Sequence, residues 1–357
     1  MTLLNPGDRV SDTLVVDRLL GEGAFAEVHR VQHEFLGWQA MKLFKRVASS
    51  SETRAMLGEA RLLSTLGHPN IVRLFEASTV VTPEGVRGFF TMEYVAGGSL
   101  ERLATAHRPS VPTELAAEVM TQIATGLAVA HIQDPPIVHR DITMANILVG
   151  YDDAGLRVRV SDFGLAKRAD PFTQLASAQG TYAFMAPEVL RGDGYSCAGD
   201  VWSVGTIGYL LLTDHLPFHD GEMYSSFSLA RFNKRLLPPS SYNETVDRAL
   251  DEIVMSALEV DPGNRPSTAR VLEEALRARR EHRVRRPPEN VADGAAPTGR
   301  PVDERATELA RQALALSRVP GELDRAADLM EEAVSLSSRT RDRYLPALLL
   351  WRRGVVV

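Results

Sequence analysis

Near residue 100 the apolar pattern changes period, and that change most constrains the fold. Before it, residues 15–20, 28–32, 39–44, 71–75 and 89–95 are short apolar runs bounded by Gly, Pro or charged residues, which predicts strands. One helix interrupts them over 51–66, with Leu57, Leu62, Leu63 and Leu66 at helical spacing, and His68-Pro69-Asn70 stops it. After it, Pro112 opens a strongly periodic helix through Ala130, and residues 201–212 and 246–259 predict two more. The pattern predicts an α+β, bilobal fold: a small β-rich lobe followed by a larger α-rich one.

Composition removes several functional classes. Hydrophobic residues at 44% and charged residues at 24% exclude general disorder. A formal net charge of −6 argues against a partner bound through bulk positive charge, so no nucleic-acid partner is expected. The longest nearly apolar stretch, 201–212, is too short to span a bilayer, so no membrane span is expected. Cys197 has no second cysteine to pair with, and no charged-then-apolar leader is present; the expected location is cytoplasmic.

Lysine is rare. It occurs at 42, 45, 167 and 234, and the other 36 of the 40 basic residues are arginine. Lys42 stands inside the apolar run Ala40-Met41-Lys42-Leu43-Phe44, where an unpaired charge is costly. Nineteen residues earlier, Gly21-Glu22-Gly23-Ala24-Phe25-Ala26 follows a strand. Glycines there let backbone N–H groups approach phosphate oxygens. A dinucleotide-binding turn would need a helix directly afterwards; here 28–32 predicts a strand, which favours a flap between two strands. Further on, Asp141 and Asn146 lie five apart in His139-Arg140-Asp141-Ile142-Thr143-Met144-Ala145-Asn146, before the strand 147–149. One carboxylate there can take a hydroxyl proton while an amide holds a metal. Asp162-Phe163-Gly164 places another carboxylate on a glycine turn, where it can ligate Mg2+.

In this order and at these spacings, the four motifs resemble those of a eukaryotic-type (Hanks-type) Ser/Thr protein kinase over about residues 10–282. Ala186-Pro187-Glu188, Asp200-Val201-Trp202-Ser203-Val204-Gly205 and Asp261-Pro262-Gly263-Asn264-Arg265-Pro266 extend the resemblance, as do two apolar columns, Leu63, Leu74, His139 and Phe163, and Val28, Ala40 and Leu148. The resemblance implies ATP with Mg2+ (or Mn2+) as cofactors and proteins as substrates. It implies that Lys42, oriented by Glu59, holds the α/β-phosphates, that Asn146 and Asp162 bind the metal, and that Asp141 accepts the substrate proton. The nucleotide site it implies comprises Leu20, Gly21, Gly23, Val28, Ala40, Lys42, Met92 as gatekeeper, Glu93 and Val95 as hinge contacts, Ser99, Asn146, Leu148 and Asp162. Arg265 would pair with Glu188. Gly180-Thr181 is the Ser/Thr form of the segment before Ala186-Pro187-Glu188.

Two positions depart from the family. Ala26 replaces the third loop glycine, and Thr143 stands where Ser/Thr kinases carry a lysine that contacts the γ-phosphate. Losing one charged hydrogen bond, at about 1.5–3 kcal/mol, slows transfer by roughly 10–100-fold. Some bacterial kinases carry a small hydroxyl residue there, and an Arg- and Ala-rich chain suits a GC-rich bacterial genome. The alternative is a weakly active or pseudokinase nucleotide-binding scaffold; a kinase-fold enzyme acting on a small molecule is a third reading. Arg140 beside Asp141 marks kinases switched on by loop phosphorylation, with Ser177 first and Thr173 second as expected sites.

The rest of the chain is organised differently. Residues 277–286 are basic, and a Pro-, Gly- and Ala-rich linker is expected over 283–301. In 302–357, Ala306, Leu309, Ala313, Leu316 and Ser317 recur as Ala326, Leu329, Ala333, Leu336 and Ser337, and a third helix is expected over about 344–353. This predicts a helical, tetratricopeptide-like segment, mobile relative to the first domain and recruiting a protein partner or substrate.

Overall fold

The computed structural model describes residues 2–45, 66–152, 155–163, 182–218, 229–285, 300–319 and 321–352. The first lobe is one antiparallel sheet of β1 (Leu14–Glu22), β2 (Ala26–His33), β3 (Gly37–Phe44), β4 (Leu74–Thr82) and β5 (Gly85–Glu93), in the order β1-β2-β3-β5-β4. The period-2 alternation of β3 sorts its side chains. Met41 and Leu43 join Leu14, Val16, Val31 and Phe89 in one apolar cluster, which the N-terminal Leu3, Leu4 and Val10 complete. Ala40 and Phe44 join Phe90 and Met92 in the second cluster, which continues into the helical lobe. Lys42 alternates in step with Ala40 and Phe44, so it belongs to the face between the lobes.

The second lobe contains α1 (Leu100–Ala106), α2 (Thr113–His131), the hairpin β6 (Ile147–Asp152) and β7 (Gly155–Val160), α3 (Pro187–Arg191), α4 (Cys197–Thr213), α5 (Arg248–Ala257) and α6 (Ala269–Arg285). Helix α4 is buried almost all round, which is why its sequence is apolar without a polar stripe. It approaches α2 closely: a Cβ on Gly208 would lie 2.4 Å from Met120 Sδ. Arg279 of α6 pairs with Glu114 of α2 (2.8 Å) and with Asp247, the N-cap of α5 (2.7 Å).

Three boundaries differ from the sequence expectation. The strand expected over 71–75 begins at Leu74. Residues just before it serve the other lobe, because Ile71 bridges Val160 and Val72 N–H donates to Val160 O at 2.9 Å. The strand expected over 89–95 ends at Glu93, where the chain crosses between lobes. The third tail helix starts at Ser338, six residues early, and Pro346 stands inside it. The helix expected over 51–66 falls almost wholly outside the described residues, and most of the expected linker does too.

The tail is α7 (Arg300–Leu316), α8 (Leu323–Leu336) and α9 (Ser338–Arg352). The repeated small residues Ala306, Ala313, Ala326 and Ala333 are all buried, which brings α7 and α8 close together. Leu348 and Trp351 complete their cluster, with Tyr151 of β6 packed against it. The tail therefore lies against the two-lobed domain.

Candidate active site

The flap between β1 and β2 is built without need of glycine for its own packing. A Cβ on Gly21 would meet nothing within 4 Å, and one on Gly23 only Ala26 O at 3.8 Å. Neither glycine has a positive φ. What their missing side chains leave open is the approach to backbone N–H groups. Ala26 is buried and pairs with Phe44, so the methyl group at the third position points to packing. Glu22 pairs with Lys45 across the flap.

Register then assembles the cleft. Val28 lies opposite Lys42, Ala40 opposite Met92, and Leu74 also opposite Met92. Ala40 and Met92 are buried, while Val28 and Leu148 pack at the edge of the same cluster. Lys42 Nζ sits 2.8 Å from Asp162 Oδ1, so the lone strand lysine and the carboxylate of the glycine turn are brought together from the two lobes. The hinge strand ends at Glu93, whose carboxylate pairs with Arg159 at 2.9 Å and whose N–H donates to Arg73 O. Ser99 precedes α1 and bridges Leu148.

The loop of Asp141 is fixed from below. Asp200, buried at the start of α4, accepts the N–H of His139 (2.7 Å) and of Arg140 (3.0 Å). Arg140 is held at φ 71° and Asp162 at φ 60°, both in the left-handed region that costs a non-glycine residue energy. His139 Nδ1 accepts from Asp141 N–H, which leaves the proton on Nε2 to donate to Ser161 O at 2.8 Å. Burial pushes the His139 imidazole below its ordinary pKa, so it holds this loop as a neutral ring. Its ring packs on Phe163 with centroids 4.6 Å apart, as the expected apolar column requires.

Asn146 Nδ2 donates to Asp141 O at 2.8 Å, and Asn146 O accepts from Ser161 N–H and Oγ. The amide nitrogen is thereby used on the loop, which leaves Oδ1 as the group's acceptor. An amide oxygen and the Asp162 carboxylate are hard oxygen donors, and they fit a divalent cation such as Mg2+. The cation charge of Lys42 beside them fits a phosphate chain. Thr143, buried, accepts Asn146 N–H through its carbonyl and starts a short 3-10 turn over Met144–Asn146. Beside Asp141 a small depression of about 20 Å3 is lined by Arg140, Ile142, Phe184, Met185 and Ala186, which sets these residues against the loop.

The protein kinase domain family matches residues 14–276. The chain belongs to the protein kinase family. Mitogen-activated protein kinase kinase kinase 10 of Mus musculus is 33% identical over 270 residues, covering 73% of this chain and 28% of that protein. The serine/threonine-protein kinase PknB of Mycobacterium tuberculosis is 31% identical over 267 residues, covering 73% of this chain and 42% of that protein. The chain thus spans less than half the length of these curated relatives. Among solved structures, the Mycobacterium tuberculosis PknI kinase domain aligns with TM-score 0.57 at 25% identity, covering 77% of this chain and 99% of that one.

Within this kinase domain, the expected pairing of Arg265 with Glu188 is present as a buried, bidentate contact, with both N–O distances 2.8 Å. It ties the end of the substrate-side segment to the helical lobe. Glu59, Leu63, Thr173, Ser177, Gly180 and Thr181 lie outside the described residues. Sequence reasoning missed the support under the site. Asp200 was legible only as a member of its motif, and its partner His131, whose Nε2 lies 3.0 Å from the carboxylate, was not marked at all. The available signal was an acid at the head of an otherwise apolar helix. Asn70, buried, donates to Gln122 and to Val158 O and so anchors the β6–β7 hairpin; the sequence marks it only as part of the His68-Pro69-Asn70 helix stop. Among the described residues, no helix is long and apolar enough to cross a membrane.

Proposed function

We propose that the chain is an ATP-dependent serine/threonine protein kinase that transfers the ATP γ-phosphoryl group to protein hydroxyls, using Mg2+ or Mn2+. The carrying observation is the convergence of Lys42, Asp162, Asn146 and Asp141 from both lobes on one cleft, on a loop held by Asp200. Asp141 accepts the proton of the substrate hydroxyl as its oxygen forms the new bond to phosphorus, and the bond to the ADP leaving oxygen breaks. Lys42 holds the α/β-phosphates, with Glu59 as its second partner. Asn146 and Asp162 would hold the metal, which would supply charge that neutralises the phosphates. Leu20, Val28, Ala40, Met92, Leu148 and the backbone at Glu93 and Val95 enclose the adenine, Gly21 and Gly23 admit the phosphates, and Ser99 lies at the cleft's edge.

Residues 10–282 are read as the kinase domain, 283–301 as a linker and 302–357 as a tetratricopeptide-like segment that also recruits a protein partner, in a cytoplasmic protein. Small buried residues repeated between α7 and α8 support the tetratricopeptide-like reading. Radiolabelled ATP with and without a generic protein substrate tests the activity. Label on substrate serine and threonine is expected; ATP binding with no transfer would make the chain a scaffold.

A further inference from the structure

We infer that α8 is a strap across the back of the hinge that ties the two lobes together and slows nucleotide release from the cleft. This rests on the nucleotide-binding reading above. Asp324, Asp328, Glu331 and Glu332 are spaced i, i+4, i+7 and i+8, so they share one face of the helix. The first half of that face holds the sheet lobe. Trp38 Nε1 of β3 donates to Asp324 Oδ2 at 2.9 Å, Arg18 Nη2 of β1 donates to Asp328 Oδ2 at 2.8 Å, and Arg30 Nη1 of β2 lies 3.7 Å from the same oxygen. Arg30 in turn lies over the Trp38 ring, 4.2 Å from its centroid.

The second half holds the helical lobe. Glu332 pairs with Arg102 of α1. Glu331, buried, accepts the backbone N–H of Tyr151 in β6, and Arg341 of α9 hydrogen-bonds the Tyr151 side chain. Glu331 Oε1 lies 3.1 Å from where a Cβ on either Gly97 or Gly150 would stand, so both glycines fit the strap closely. Arg352 closes the array by donating to Asp328 at 2.9 Å and to Glu331 at 2.6 Å.

From Asp324 to Glu332 the helix rises about 12 Å, and it is rigid over that length. Rotation of one lobe away from the other carries Arg18, Arg30 and Trp38 away from Arg102 and Tyr151. The helix cannot follow both, so opening breaks its anchors at one end. These anchors are discrete: a cavity of about 360 Å3, lined by Trp38, Tyr94, Val95, Asp324, Glu331 and Arg352 among others, remains between the strap and the hinge. A contact made of separable polar anchors can let go and re-form as nucleotide leaves.

The test is stopped-flow release of a fluorescent ADP analogue from the full chain. Asp324→Asn combined with Asp328→Asn removes the charges that hold the sheet lobe, and Trp38→Phe removes one donor without a change of charge. Arg102→Ala loosens the other end. Release is expected to quicken by about fivefold or more in the double variant, with a smaller increase in Trp38→Phe and in Arg102→Ala. Glu308→Gln, whose exposed partner Arg311 is on its own helix, is expected to match the parent. Analogue that fails to bind the parent overturns the nucleotide reading and the strap with it. Binding with release unchanged or slowed in the folded variants overturns the strap alone; if the double variant does not fold, Trp38→Phe and Arg102→Ala decide.

Discussion

Asp200→Asn isolates the part of this site that does no chemistry. The carboxylate accepts three hydrogen bonds, from His139 N–H at 2.7 Å, Arg140 N–H at 3.0 Å and His131 Nε2 at 3.0 Å. His131 Nδ1 accepts from Ala269 N–H, so its Nε2 carries the proton and donates. An asparagine keeps one acceptor oxygen, and its NH2 must then face an N–H. With the oxygen on the side of His139 and His131, the Arg140 N–H loses its acceptor. A charged hydrogen bond is worth about 1.5–3 kcal/mol, and a buried unpaired donor costs about 1–3 kcal/mol, so the total is roughly 2.5–6 kcal/mol. Arg140 already sits at φ 71°, next to Asp141, and relaxes once released. If half of the cost falls on the loop, kcat drops by roughly tenfold or more. The KM for ATP is expected to stay within about threefold, because the substitution leaves the proposed nucleotide contacts of Lys42 and Asp162 in place. Steady-state kinetics at saturating protein substrate, with thermal melting alongside, give both numbers. An unchanged kcat with a lowered Tm would show that Asp200 serves only the fold, and the positioning argument would fail.

Lys42→Met and Asp141→Asn are each expected to abolish autophosphorylation and substrate labelling with the fold intact; residual transfer above a few per cent in both would sink the assignment. Thr143→Lys should raise kcat with little change in the KM for ATP, the pattern of a contact made mainly in the transition state; a lower kcat would mean that the buried loop has adapted around threonine. The pH dependence of stability has a local signature at Asp247. Burial alone would raise its carboxyl pKa, but hydrogen bonds from Arg279, Leu250 N–H and Arg283 outweigh it and lower the pKa to about 2. A folded value below the unfolded one, near ~4, gives stability that is complete above the unfolded value and is lost as pH falls through the folded one. Asp247→Asn should therefore lower Tm at pH 7, with the gap closing between about pH 4 and pH 2; a gap still full at pH 2 would contradict this.

The kinase family was legible in the sequence because its motifs pair fixed residue types with fixed spacings. A strand lysine, two carboxylates and an asparagine in fixed order leave few folds that can gather them. The two-lobed division was equally legible, since hydrophobic period is a local property. What escaped depends on partners far along the chain. Ile71 and Val72 look like strand in isolation, yet their ladder partner is Val160. Leu3 and Leu4 precede any periodic element, and only the finished sheet shows that they cover its outer face. The expectation of a mobile tail rests on the linker before it, and the sequence does not say what the tail's acids meet. Arg18, Arg30, Trp38 and Arg102 meet them across more than 200 residues, and no local pattern encodes which charge meets which.

The scarcity of lysine acquires a physical reading from these contacts. Among the described residues, three joints that hold two acceptors at once use arginine: Arg265 on Glu188 with two parallel bonds, Arg279 on Asp247 and Glu114, Arg352 on Asp328 and Glu331. A planar fork locks two oxygens at once and so resists rearrangement. Lys42 has the opposite task in the proposed cycle. It must leave Asp162 Oδ1, 2.8 Å away, for a phosphate oxygen, and return once product departs. A compact ammonium on a flexible stem makes that exchange without reorienting a fork. Lysine at 42, in a chain where 36 of the 40 basic residues are arginine, is thus a choice of mobility over grip, made at the position where the partner has to change.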